Sequence, residues 1–396
     1  VTKAVRILVD TRYIFAECIK QLMNHQSLDK ITVTDIVEMS GKTRQTFYRY
    51  FRDKYDLVNW YFEVLADKSF LQIGNSETLR EGLTKKFEFI YQDGNNKLPE
   101  MHIGFNINDA FFKPLGAEIT SILETNKDIA FNFHVFVDRY ADINKVNLQK
   151  TAEKYKCNIR LYIMDMSIYQ NFHIKVARFS RVTYIRIVMP WILRHYTDHY
   201  LYLDSDMICV GSLKQFLSID LKGKAIGALT YHTPERVSFL KMKQDVYFSD
   251  GLMWIDVNEW IREKITEKVF DYQGADPKRF KGQTQDLLNL VIDGDMTPIP
   301  NLFHHMDKDF SVQGILIHYS GRDKPWEVVL DEDDELWRHY LDVSFWESMP
   351  NPMPPKEPSY YHSFKKLAQV YRKKGETWKE IQCLFWYAIL KIRYKL

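Results

Sequence analysis

Cysteine is scarce in this chain. The four present (Cys18, Cys157, Cys209 and Cys383) follow no spacing that would build a metal knuckle or a disulfide framework. Their scatter points to a reducing, cytosolic setting. No apolar run reaches the ~20 residues needed to span a bilayer. The opening residues lack the basic segment and apolar core of a secretory signal, so a cytoplasmic location is expected. Net charge is nearly absent: 54 lysines and arginines against 52 aspartates and glutamates leave +2. Any basic partner surface must therefore be local. There is no internal repeat and no low-complexity segment. What is present is an ordinary globular composition, 45% hydrophobic and 27% charged over 396 residues. That is enough for two domains with sizeable cores and argues against wholesale disorder.

The chain changes character near residue 100. Up to about residue 92 it reads as all-helical, with apolar residues from Val5 to Leu22 at near-helical spacing. In "KITVTDIVEMSGKTRQTFYRYFRDKYDLV" (Lys30 to Val58), Thr32 or Thr34 can cap a short helix through Met39. Gly41 makes a turn, and Thr43 can cap a second helix carrying Gln45, Thr46, Tyr48 and Arg49. "YQDGNNKLPE" then breaks the pattern. From Met101 the runs "HIGFNI", "IAFNFHVFV", "CNIRLYIM" and "HYLYLD" read as buried strands separated by stretches of helical length. This alternation predicts a mostly parallel α/β sheet, whose ligands sit at the carboxyl ends of strands.

Asp204 and Asp206 fall at such an end, in "YLYLDSDMICVGSL". Carboxylates closing a buried strand need a positive partner. Other Asp-x-Asp pairs (Asp293/Asp295, Asp307/Asp309, Asp331/Asp333) lie in polar turns and read as solvated acids. The pair at 204 and 206 suits Mg²⁺ or Mn²⁺ bridging a diphosphate; a turn or helix-capping pair is the bland alternative. A second strand, "ILIHYSGRDKPW" (Ile315 to Trp326), offers an imidazole, His318, a flexible Gly321 and a cation, Lys324. An imidazole added to two carboxylates shifts the preference toward Mn²⁺, and a lysine beside them can neutralise phosphate.

Together these pieces resemble the retaining glycosyltransferases of family 8, among them the bacterial lipopolysaccharide galactosyl- and glucosyltransferases, over about residues 101–330. The matching elements are "HIGFNINDAFFKPLGAEITSIL", Thr183-Tyr184-x-Arg186, "YLDSD" and the run from His318 to Trp326. The resemblance implies a nucleotide-sugar-binding, Rossmann-like mixed sheet of the GT-A type. It also implies transfer of glucose or galactose from UDP-glucose or UDP-galactose to a glycan or lipid-linked acceptor. By the same resemblance Asp204, Asp206 and His318 ligate Mn²⁺, with Mg²⁺ as the substitute. Asn108, Asp109, Gly321 and Lys324 hold the nucleotide. Arg186, Ser249, Asp250, Gly251 and Thr284 face the donor sugar. Gln285 lies under the anomeric carbon with Asp286 supporting it. Ser249-Asp250-Gly251 replaces a common Asn-Ala-Gly or Asn-Ser-Gly, and Thr284 replaces a common Asp. Both departures touch sugar recognition and leave the choice of hexose open.

The block "TFYRYFRDKYDL" makes residues 5–60 resemble the helix-turn-helix of TetR-type repressors. This implies an all-α DNA-binding module, with Lys42, Thr43, Arg44, Gln45, Thr46, Tyr48 and Arg49 on or beside the reading helix. Lys42, Arg44, Arg49, Arg52 and Lys54 oppose only Asp53, a charge balance that suits phosphate contacts. A DNA-binding regulator carrying a transferase fold is therefore the alternative function. The expected organisation is a helix-turn-helix module at 1–70, a truncated helical segment and linker at 71–100, a catalytic domain at 101–330 and a helical basic and aromatic region at 331–396. From Ser359 onward nine lysines and arginines face two glutamates, interleaved with Trp378, Leu384, Phe385, Trp386, Tyr387, Ile389 and Leu390. That composition suits the cytosolic face of an anionic membrane; the plainer expectation is a closing helix packed on the catalytic domain.

Overall fold

The computed structural model describes residues 11–61, 84–91, 98–170, 172, 174, 180–275, 280–300, 305–306, 314–349 and 353–395. The chain divides into two compact units, Val1–Arg80 and Glu81–Leu396.

In the first unit α1 (Thr11–Met23), α2 (Val33–Ser40) and α3 (Arg44–Tyr50) surround Phe15, Ile19, Ile31, Ile36, Phe47 and Leu57. Thr32 rather than Thr34 caps α2. Its hydroxyl accepts from the Asp35 amide (3.2 Å), and the Asp35 carboxylate accepts from the Thr32 amide (2.7 Å), forming a reciprocal capping box. Gly41 ends α2 at φ 63°, a left-handed conformation that suits glycine. Thr43 caps α3 through the Thr46 amide.

The second unit is built on an eight-stranded mixed sheet. Its strands are β1 (Thr84–Tyr91), β2 (Glu100–Ile107), β3 (Ala130–Val137), β4 (Asn158–Met164), β5 (His199–Leu203), β7 (Ile226–Tyr231), β8 (Tyr247–Asp256) and β9 (Thr297–Pro298). They run in the order β1-β4-β3-β2-β5-β8-β7-β9. The centre, β4-β3-β2-β5, is parallel, and β8 turns antiparallel to β5. A second sheet joins β10 (His305–Met306), β11 (Leu316–His318) and β6 (Met207–Cys209). The helix α4 (Phe112–Thr125) lays Leu115, Ile119 and Ile122 in the core that holds Ile103, Phe105 and Ile107 of β2.

β1 corrects the sequence reading. Residues 84–91, expected to be helical, pair antiparallel with β4 at the sheet edge. In "TKKFEFIY" apolar Phe87, Phe89 and Tyr91 fall on every second residue, a strand period inside a segment read as helix. The rest of the expected helical segment, 71–83 and 92–97, lies outside the described residues, as do 1–10 and 62–70.

A polar column crosses β2, β3 and β4. His102 Nδ1 lies 2.9 Å from His134 Nε2, and His134 Nδ1 lies 2.9 Å from the Tyr162 hydroxyl. Burial, with the charge of Arg160, pushes His102 down to about 4. Burial, with His102 and Arg160, holds His134 well below the ordinary histidine value.

At the carboxyl end α11 (Glu332–Val343) is followed by a helical hairpin, α12 (Tyr361–Lys373) and α13 (Thr377–Lys395). The hairpin closes on Val328, Phe364, Leu367, Cys383 and Leu390. No helix among the described residues is long and apolar enough to cross a membrane.

Candidate active site

The three residues Asp204, Ser205 and Asp206 form the joint between the two sheets, since β5 ends at Leu203 and β6 begins at Met207. The backbone locks this joint on both sides. The Asp204 amide donates to the Gly251 carbonyl on β8 (2.8 Å), and the Asp206 carbonyl accepts from the Tyr319 amide (2.9 Å). β11 pairs with β6 so that His318 stands opposite Met207. Strand pairing thus brings together residues more than a hundred positions apart.

Asp204, Asp206 and His318 each present one ligand atom, and these atoms lie within 4.8 Å of one another. The Asp204 Oδ1 atom is held by Arg186 Nη2 (2.9 Å) and the Tyr202 hydroxyl (2.9 Å), leaving Oδ2 as its remaining donor atom. A Cβ at position 251 would lie 2.8 Å from Asp204 Oδ2 and 3.1 Å from His318 Cε1, so Gly251 keeps clear the space these groups face. Asp206 Oδ1 is buried 2.9 Å from His318 Nε2 without completing an aligned hydrogen bond. Two carboxylates, an imidazole and a cleared approach fit a divalent cation of the Mn²⁺ or Mg²⁺ kind.

Positive groups bracket the joint. Lys324 Nζ lies 2.8 Å from Asp206 Oδ2 and also donates to the Tyr319 carbonyl. Burial works to raise the Asp206 carboxyl, but the charges of His318 and Lys324 outweigh it and hold it well below the usual carboxylate range. Burial likewise works to lower His318, and Asp206 reverses it, leaving the imidazole raised. Arg186 lies between two acids. Besides Asp204 it donates from Nη1 to the Asp250 carboxylate (2.8 Å) and carbonyl (2.8 Å), with its guanidinium 4.6 Å from the Tyr202 ring. Asp250 also accepts from the Thr284 hydroxyl (2.6 Å). Its carboxyl is raised, because burial exceeds the help from Arg186.

Thr284, Gln285 and Asp286 open α10 (Thr284–Ile292), which packs beside β8. Gln285 Nε2 donates to the Tyr231 hydroxyl (2.6 Å) and the Tyr247 hydroxyl (3.2 Å). Asp286 is fully buried and accepts from Arg236 Nε (2.7 Å) and Nη2, Tyr247 (2.8 Å) and the Gly282 amide (2.5 Å).

The two residues expected at the nucleotide base do local work. Asn108 accepts from the Ala110 amide (3.0 Å), and Asp109 accepts from the Ala141 amide (2.9 Å) and Asn144 Nδ2 (3.0 Å). Gly321 and His318 border a cavity of about 210 Å³ that also meets Asp331, Asp334 and Lys366. Ser249 is buried on β8.

Sequence reasoning missed five residues here. Tyr202 was findable: it sits two positions before Asp204 on a strand and so shares its face. Glu118 of α4 is fully buried behind the joint and accepts from the Met207 amide (3.4 Å); burial, and then Asp206, push it well above the ordinary value. Arg236, Tyr231 and Tyr247 carry no local signal, because they meet α10 only through the fold.

In the first unit Lys42, Thr43, Arg44, Gln45, Tyr48 and Arg49 are exposed and Thr46 is half-buried. Thr43 and Thr46 are tied to each other, and Arg44 donates to Thr34. Lys54, counted with the basic surface by sequence, instead donates to the carbonyls of Leu28 (2.9 Å), Asp29 (3.0 Å) and Ile31 (2.8 Å).

Known proteins fit this layout. The family model described as glycosyl transferase family 8 matches residues 102–329, and that of bacterial regulatory proteins, tetR family, matches residues 19–59. A lipopolysaccharide 1,2-glucosyltransferase from Escherichia coli is 26% identical over 302 residues, covering 69% of this chain and 86% of the relative. A lipopolysaccharide 1,3-galactosyltransferase from Salmonella typhimurium is 25% identical over 255 residues, covering 57% and 73%. The solved structure of galactosyltransferase LgtC in complex with donor and acceptor sugar analogues superposes with a TM-score of 0.55 at 21% identity, covering 62% of this chain and 97% of that one. At that identity the likeness speaks for the fold.

Proposed function

The chain belongs to glycosyl transferase family 8, and from that premise we propose that it moves glucose or galactose from a UDP-linked donor to a glycan or lipid-linked acceptor with the help of Mn²⁺. As a family member it is a hexosyltransferase that transfers with retention of configuration. The observation that carries the finer reading is the joint between the sheets, where Asp204, Asp206 and His318 converge within 4.8 Å beside Lys324 and Arg186. A divalent cation bound there supplies a positive charge against the diphosphate that leaves. The protein groups act alongside. Lys324 offers an ammonium to the departing phosphate oxygens. Arg186, Asp250 and Thr284 form a fixed polar wall for sugar hydroxyls, and Gln285 offers an amide beneath the reacting carbon. Turnover of UDP-glucose and UDP-galactose, with and without Mn²⁺, tests the reading. Asp206→Ala is expected to lower turnover on the order of 10³-fold; full activity in that variant sinks the metal assignment.

The hairpin fits an acceptor held at a membrane on the cytosolic side. On α13 the side chains of Trp378, Ile381, Phe385 and Ile392 are exposed at helical spacing, a single apolar stripe. Lys366, Arg372, Lys374 and Lys379 are engaged with Asp323, Glu380, Glu335 and Glu376, and Lys391 donates to the Tyr387 hydroxyl, which leaves Lys365, Lys373, Arg393 and Lys395 to meet anionic lipid. The intact chain is expected to sediment with anionic vesicles and to be released by salt. Unchanged binding after Trp378→Ser/Phe385→Ser rules the stripe out.

A second reading concerns the first unit. Its match to the tetR family, with Lys42, Gln45, Tyr48 and Arg49 exposed along α3, supports DNA binding by this module.

A further inference from the structure

Gln285 and Asp286 belong to one hydrogen-bonded chain whose far end is Arg236, on α7 (Pro234–Leu240). Elementary donor and acceptor rules fix the direction of its bonds. An ionised carboxylate only accepts. Tyr247 therefore points its one O–H at Asp286 (2.8 Å), and its oxygen is left to accept from Gln285 Nε2 (3.2 Å). Tyr231 receives the same nitrogen at 2.6 Å. Both amide hydrogens thus point at phenols, and the amide oxygen is the end turned away from them.

This polarity depends on Asp286 staying an anion while fully buried. A buried carboxylate without a counter-charge is strongly destabilising and needs relief. Arg236 removes the need. Its guanidinium meets Asp286 with two nitrogens, Nε at 2.7 Å and Nη2 on the other oxygen. Without it, Asp286 keeps only the Tyr247 hydroxyl and the Gly282 amide, and the two-nitrogen contact that fixes the plane of its carboxyl group is gone. When that group turns, Tyr247 is released to turn its O–H toward Gln285, and the amide can present nitrogen where it had presented oxygen.

We propose that Arg236 is a positioning residue that acts through Asp286 and Tyr247 to decide which end of the Gln285 amide faces the reacting sugar. The inference rests on the placing of Gln285 beneath the donor. A carbonyl oxygen in that place favours the positive charge that gathers on the sugar as the diphosphate leaves, whereas an N–H opposes it.

The test compares wild type, Arg236→Met, Arg236→Lys and the double variant Arg236→Met/Asp286→Asn as full chains. Each is measured for transfer kinetics, for calorimetric affinity toward Mn²⁺ with UDP, and for thermal midpoint. Arg236→Met is expected to lose kcat on the order of 10²-fold, the scale of a misplaced reacting group, with donor KM and UDP affinity little changed. Arg236→Lys, which keeps the charge but not the two-nitrogen contact, falls between. The double variant recovers part of the loss, because a neutral amide in place of the carboxylate still accepts from Tyr247 and leaves no buried charge. A near-normal kcat in Arg236→Met overturns the inference. So does a loss shared by UDP affinity and thermal midpoint, or a double variant no better than the single one. If wild type turns over neither UDP-hexose, the functional reading fails first and takes the inference with it.

Discussion

Each unit of this protein holds a lysine turned inward, and the two are used in opposite ways. Lys54 closes the helix-turn-helix unit by donating to three neutral backbone carbonyls at 2.8 to 3.0 Å. Lys324 faces an aspartate that is itself 2.9 Å from a histidine. Neutral carbonyls saturate an ammonium and leave nothing over, so Lys54 acts as a staple. Charged partners that can change state or trade one cation for another leave a site that a ligand can enter. A positive residue inside a recognised motif therefore says little until its partner is known. The same contrast runs through the surrounding residues. At the sheet joint, buried and half-buried acids and bases face each other, which is costly unless the pairing is close and well hydrogen-bonded. On α3 the polar side chains other than half-buried Thr46 are exposed and need no compensation.

The strongest way to break this comparison is to fill the space at the joint. Gly251→Ala places a Cβ 2.8 Å from Asp204 Oδ2. It is expected to cut UDP-hexose turnover on the order of 10²-fold while the chain stays folded, since the clash falls on the ligand oxygen. Normal kinetics in that variant show that the space is not used.

A smaller effect separates staple from surface in the first unit. Lys54→Met is expected to destabilise that unit by about 2 kcal/mol, the scale for hydrogen bonds from a charged group. The readout is faster amide exchange along α2 and α3 of the intact chain, with β2 and α4 unaffected. Arg49→Ala, by contrast, is expected to leave exchange alone and weaken DNA retardation at low salt. Equal exchange in both variants means Lys54 is no staple.

The smallest effect concerns the histidine column, where burial and the charge of Arg160 lower His102 although the exposed Glu100 carboxylate lies 3.9 Å from its Nε2. His102, near 4 when folded, lies below the ~6.5 of an unfolded histidine. Its contribution is complete above that unfolded value and is lost as pH falls toward 4, because the unfolded chain takes the proton first. Between pH 7 and 5.5 the second unit is expected to lose about 1 kcal/mol through this residue. A thermal midpoint flat over that range, or an equal slope in His102→Gln, contradicts the assignment.

The legible parts of this molecule are those whose signal is local. The strand ending in Asp204 and Asp206 was visible because an apolar run stops abruptly at acids. The capped helices around Gly41 were visible because threonine, glycine and threonine punctuate them. β1 was obscured because a short period-two stretch follows a long helical one, and eight residues are too few to override the neighbouring pattern. Arg236 and the two tyrosines were out of reach for another reason. Their partners lie 38 to 54 positions away, and only the packing of α10 against α7, β7 and β8 makes them neighbours. Lys54 was visible but misassigned, since charge can be counted from sequence and direction cannot.

β1 has a consequence for handling the protein. It covers the outer edge of β4, whose amides and carbonyls would otherwise offer a template to another chain. A fragment begun at Met101, where the family pattern opens, discards that cover and presents Asn158–Met164 as a bare, self-adhesive border. A fragment begun at Glu81 keeps it. Colloidal behaviour, more than catalytic competence, is what the choice of cutting point decides.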